Sequence, residues 1–124
     1  MKQIIFKKGA EVKGKHDDTI NFLIKRLKKC GDYDFIGKNL EYKIKDSNNV
    51  LGEVDAYALR TINNVKNLFL FEIKTNNNIY NRAKAINQLY KSKNYLSFLG
   101  DKTRILYVYF DSFSKGYVRT ELIK

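Results

Sequence analysis

The chain has no proline, one cysteine, one histidine and one methionine in 124 residues, and it is short of negative charge, with 13 acidic residues against 24 lysines and arginines. Each shortage excludes something. A lone Cys30 permits neither an intrachain disulfide nor a cysteine metal cluster. It closes an apolar helical stripe and reads as a core residue. A lone His16 gives little support to histidine catalysis or a zinc site, and reads as a surface or cap residue. No glycine-rich phosphate loop is present, which removes a P-loop nucleotidase. Met1 to Lys8 is too short and too charged for a signal peptide, and no apolar run reaches membrane-spanning length. A cytoplasmic protein without a membrane partner is expected. The missing proline accompanies abundant lysine, asparagine and isoleucine, a bias that reads as coding rather than function.

What is present begins with base. The formal net charge is +11 and the pI about 9.7. Such an excess suits a polyanionic partner, most simply nucleic acid; a surface selected for solubility gives the same number. No helix pairs a wide apolar face with aromatic anchors, so an anionic membrane fits less well. Hydrophobic content of 44% and aromatic content of 14% are ample for one packed domain spanning 1–124. The tyrosines and phenylalanines read mostly as core, Tyr107 and Tyr109 on a buried strand among them.

Periodicity orders the elements. Lys2 to Phe6 is a short leading strand. Asp17 to Lys29 is a helix, because Ile20, Leu23, Ile24 and Leu27 recur at helical spacing and Gly31 ends it. Lys25, Arg26, Lys28 and Lys29 fall largely outside that stripe. Tyr33 to Ile36 reads as extended, and Leu40 to Lys45 alternates as a strand. Val50 to Arg60 and Leu68 to Thr75 follow as strands, Arg82 to Leu99 as a long helix closed by Gly100, Arg104 to Phe110 as a buried strand, and Tyr117 to Ile123 as an edge strand. The long helix is then a right-handed crossover that sets Arg104 to Phe110 parallel to Leu68 to Thr75. The fold class is α/β, with a mixed central sheet flanked by helices.

Charge interrupts two of these strands. Gly52-Glu53-Val54-Asp55 and Leu70-Phe71-Glu72-Ile73-Lys74 are apolar runs carrying acids, and burying an acid on a strand is costly unless something compensates it. Folding the chain about Asn63-Asn64 sets Asp55 opposite Glu72 and Glu53 opposite Lys74. Facing acids repel, and a hard cation between them relieves the repulsion. Glu72 and Lys74 share a face. An ordinary cross-strand ion network on a wet sheet accounts for the same three residues, although Leu68 and Leu70 on that face argue against full exposure. Glu53 reads as a partner of Lys74 or a surface residue. Lys84, Gln88, Lys91 and Tyr95 recur at helical spacing as one polar, basic stripe, which suits either a phosphate backbone or plain solvation.

Gly52-Glu53-Val54-Asp55, a spacer of sixteen residues and Glu72-Ile73-Lys74 together resemble the PD-(D/E)xK nuclease signature, with Val54 where the literal motif has proline. The helix, meander, helix and strand order resembles that superfamily's αβββαβ core, from about Gly14 to Phe110. The resemblance implies a restriction-endonuclease-like fold. It implies hydrolysis of DNA phosphodiester bonds with Mg2+ or Mn2+, as in Holliday junction resolvase-like and viral or phage nucleases. It makes Asp55, Glu72 and the Ile73 carbonyl metal ligands and Lys74 the lysine near the attacking water. Gln88 resembles a glutamine that some subfamilies carry on the following helix. A first-helix acid is expected near the metal. Glu11 lies outside the helix. Asp17 lies about 70° from the centre of the apolar stripe and is preferred over Asp18, which points away, although Gly14 to Asp18 resembles a Gly-x-x-x-acid spacing of some resolvases and favours Asp18; either also serves as an N-cap.

The expected function is therefore a metal-dependent nuclease. Its small size favours reading of backbone shape, hence branched junctions or single-strand ends. A homodimer would supply two cuts on a symmetric junction, with Tyr117 to Ile123 as an edge for pairing. A catalytically inactive nucleic-acid-binding module and a basic interaction protein stand as alternatives.

Overall fold

The structure is a computed structural model that describes residues 4–8, 15–111 and 117–124. Glu11 and Gly14 lie outside the described residues, as does the start of the leading strand expected from Lys2. Six strands form one sheet in sequence order: β1 (Ile4–Lys8), β2 (Phe35–Ile44), β3 (Gly52–Ile62), β4 (Val65–Lys74), β5 (Lys102–Asp111) and β6 (Tyr117–Ile123). Neighbours are antiparallel except β4 and β5, which run parallel. Helix α1 (Lys15–Cys30) precedes β2, and α2 (Ile79–Leu96) is the crossover between the parallel pair. The architecture is α/β, a mixed sheet with one helix on each face.

Most elements follow the sequence periodicity. Tyr33 to Ile36 and Leu40 to Lys45, read as two segments, are one strand from Phe35 to Ile44. The β3–β4 hairpin closes on Asn63 and Asn64, both left-handed with φ of 50° and 66°, a two-residue turn whose twist matches the strands it joins. That turn pairs Ile62 with Val65 and carries the expected register up to Ala56 opposite Phe71. Cys30 is exposed rather than core: Ile20, Leu23 and Leu27 bury the helix face that docks on the sheet, and the next turn projects beyond it.

Two cores result. On the α2 side Tyr42, Val54, Leu68, Leu70 and Tyr107 pack against Ala85, Leu89 and Leu96 of the helix. On the α1 side Ala56, Ala58, Phe71, Ile73 and Val108 pack against Ile20, Leu23 and Leu27. Val54 and Ala56 therefore face opposite helices although they are two residues apart, which a regular strand forbids. Strand β2 inverts at the same level: Ile36 joins the α1 core and Leu40 the α2 core. Between them stands Asn39 with φ of 53°. Each strand thus carries one extra residue, Asn39 in β2 and Asp55 in β3, and the pairing on either side keeps one register.

Aromatic rings brace this distortion from both directions. Tyr57 lies over Gly37 directly opposite, and Tyr42 lies over Gly52 directly opposite. Tyr42 is 1% exposed, and its hydroxyl is 3.0 Å from Ser92 Oγ of α2, so it has little freedom to withdraw. A methyl group at Gly52 collides with that ring. Gly52→Ala is expected to destabilise the protein by about 1–3 kcal/mol in urea denaturation, and a midpoint equal to wild type would show that the ring yields.

Candidate functional site

Asp55, the extra residue of β3, is turned out of the regular pleat. Its Oδ2 accepts the Ile73 N–H at 2.8 Å, a bond that the β3 backbone would otherwise make. The paired ladder between β3 and β4 stops one residue earlier, at Ala56 and Phe71. Glu72 needs no distortion. It follows Leu68 and Leu70 on the α2 face of β4 and is 5% exposed. The carboxyl groups of Asp55 and Glu72 lie close enough to act on each other's ionisation. The two acids thus meet as the sequence predicts, through a bulge rather than a continuous ladder.

The side chain that α1 contributes is His16. Its Nε2 donates to the Ile73 carbonyl at 2.9 Å and lies 3.3 Å from Asp55 Oδ2. Asp17, the donor preferred from helical phase, accepts instead from Asn21 Nδ2 at 3.4 Å, one turn along its own helix, and Asp18 is exposed. The signal for His16 was present: it stands four, seven and eleven residues before Ile20, Leu23 and Leu27, so it extends the buried stripe. Its apparent isolation as the only histidine hid it.

Electrostatics follow from crowding. Burial, then the Asp55 carboxylate, pushes Glu72 well above the usual carboxylate range, and the charge of nearby Lys74 only partly opposes this. Burial also raises Asp55, but hydrogen bonds from His16 and the Ile73 N–H, together with the Glu72 carboxyl, outweigh it and leave Asp55 lowered. Of the pair, Glu72 is therefore the weaker acid and Asp55 the stronger. His16 is raised, first by its hydrogen bond to Asp55, against burial and the Lys74 charge. Glu53 does not pair with Lys74. It stands opposite Glu41 on β2, and burial followed by that neighbour raises it.

Gln88 approaches the same end of the sheet from α2, where its Nε2 donates to the Glu53 carbonyl at 3.3 Å. With Lys84, Asn87 and Lys91 it lines an open groove of about 310 Å³ whose other wall is Leu51 and Gly52. Among the described residues no acid lines this groove. Tyr95, expected in the same stripe, is not part of the groove lining; it is 37% exposed and packs against Tyr42 with ring centroids 6.0 Å apart.

Two oxygens of different kinds, the Asp55 carboxylate and the Ile73 carbonyl, converge on one point, and the His16 nitrogen fills it. Separations of 2.9 and 3.3 Å are those of an ordinary hydrogen bond and a close ion pair. Among the described residues no three histidine, cysteine, aspartate or glutamate side chains form a finished metal cage. His16, Asp55 and Glu72 form a line of contacts with Asp55 in the middle. The donor chemistry, carboxylate and main-chain oxygens with one imidazole, fits a cation.

The shifted ionisations of this site give a pH signature. Folded Glu72 keeps its proton above the unfolded value, so ionising it costs stability increasingly as pH rises from the ordinary carboxylate range. The His16 contribution is complete below the unfolded histidine value and is lost as pH rises through the raised folded value. Asp55 acts with the opposite sign, at lower pH, as it protonates. In chelator, Glu72→Gln is expected to gain thermal stability relative to wild type between about pH 5 and about pH 8; parallel profiles would refute the buried-proton assignment.

Comparison of the chain with known protein families, with curated proteins and with solved structures finds no match.

Proposed function

We propose that this protein is a metal-dependent nuclease of restriction-endonuclease-like fold that hydrolyses phosphodiester bonds in DNA, with branched or single-stranded structures as preferred substrates. One observation carries the reading. Two carboxylates are pressed together, largely out of water, at a break in the sheet, with a main-chain carbonyl and a lysine beside them. An ion network on a wet sheet face does not account for that burial, and a structural role alone would favour apolar residues.

Asp55, Glu72 and the Ile73 carbonyl would hold Mg2+ or Mn2+, and His16 would supply the contribution expected from Asp17. A divalent ion bound there supplies an activated water and neutralises phosphate charge. Lys74 lies close enough to act on Glu72 and His16, and so is in position to orient the water and stabilise charge developing on the phosphate oxygens. Gln88 braces the Glu53 backbone at the mouth of the bulge. Water adds to phosphorus, the bond to the 3′ oxygen breaks, and the products carry a 5′-phosphate and a 3′-hydroxyl.

Cleavage of supercoiled, single-stranded and four-way-junction DNA is expected with Mg2+ or Mn2+ and not in chelator. Glu72→Ala should abolish it, and Lys74→Ala should slow turnover by about 10²-fold or more while binding is kept. Identical behaviour of Glu72→Ala and wild type on every substrate would sink the proposal.

The imidazole allows a sharper test. A nitrogen donor suits first-row transition ions better than magnesium. Calorimetric titration of His16→Ala should show weakened Mn2+ binding with Mg2+ binding little changed. Tighter binding of both ions would instead make His16 a competitor for the site.

A further inference from the structure

Ile79 and Tyr80, on the first turn of α2, are 91% and 68% exposed, the highest values among the large apolar side chains described. Scattered exposure of apolar groups is ordinary. This pair differs in what holds it and where it stands. It follows Lys74 by five and six residues, at the end of the sheet where Asp55 and Glu72 meet. The connection between them is fixed: Tyr107 Oη donates to Asn77 Oδ1 at 2.8 Å, Asn81 Nδ2 donates to the Asn76 carbonyl at 2.9 Å, and Asn78 caps the helix by accepting the Asn81 N–H at 2.7 Å. The Tyr80 ring is therefore offered to solvent from a rigid base. On one side the Lys84 ammonium sits 5.2 Å from its centroid, and Lys84 also lines the acid-free groove that continues to Lys91.

We propose that Tyr80, flanked by Ile79, is a stacking platform for an unpaired base, and that Lys84 and Lys91 hold the phosphates of the same strand. The ligand class is single-stranded polynucleotide, so the inference rests on the nucleic-acid reading above and adds which form is taken. Base faces in a duplex are covered by their neighbours, whereas an unstacked base has a free π-face for tyrosine. Phosphate contacts by lysine alone do not distinguish the two forms. From Tyr80 to Lys91 the helix advances about 16 Å, a length that a few nucleotides of extended strand span. The excess of positive charge on the chain supplies the complementary field.

The test is binding of the full chain in chelator, so that catalysis plays no part. Fluorescence anisotropy would use an oligothymidylate, an oligouridylate and a blunt-ended DNA duplex, with thermal melting as the folding control. The single strands should bind more tightly than the duplex. Tyr80→Ala should weaken them on the order of 10-fold or more and leave the duplex unchanged, Tyr80→Phe should bind as wild type, and Lys84→Gln should reduce the salt slope by about 0.7. The two single strands differ in sugar and report whether DNA or RNA is preferred. Equal losses on strand and duplex, no loss from Tyr80→Ala, or no binding of any polymer would overturn the proposal. Tyr80-dependent strand binding by a protein that never cleaves with metal would overturn the nuclease reading alone.

Discussion

The Asp55 carboxylate accepts the Ile73 N–H at the level where the β3–β4 ladder ends. A side-chain oxygen there takes over a main-chain bond, and the rest of the site follows from it. The substitution satisfies a donor that the bulge would strand in the interior. It also holds a carboxylate against the strand that carries Glu72, and leaves the Ile73 carbonyl facing α1, where His16 meets it. Remove that bond and the two acids have no shared reason to stay together.

Much of this was legible in the sequence because it rested on local rules. Asn63-Asn64 specifies a tight turn, and the turn fixes the register that brings Asp55 to the level of Glu72. The 3.6-residue stripes locate both helices, and the length of α2 demands a parallel partner for β4. What stayed hidden was non-local. The inversion of faces in β2 and β3 has no composition signal: Asn39 and Asp55 are unremarkable until Val54 and Ala56 are seen to join opposite cores. The β3–β4 ladder ends at Ala56 and Phe71 for the same reason, so Glu53 keeps its β2 neighbour Glu41 but has no paired partner on β4.

His16 shows a different failure. Counting histidines says that one cannot build a site, and counting is blind to a histidine that reaches oxygens on neighbouring strands. Asp17 had the right residue type and a tolerable helical phase, but its neighbour had the better phase and the longer reach. Tyr95 keeps helical spacing with Lys84, Gln88 and Lys91, and its ring also packs against Tyr42, a contact that the spacing does not announce.

The matched extra residues in β2 and β3 constrain how this sheet can change. Because both strands carry one, pairing stays in step above and below the distortion. Deleting Asn39 or Asp55 alone would put one strand out of step with the other and turn its far half inside out, exchanging core for surface. Deleting both would restore two regular strands and an unbroken ladder. Indels at these positions therefore keep the sheet in step only as a pair.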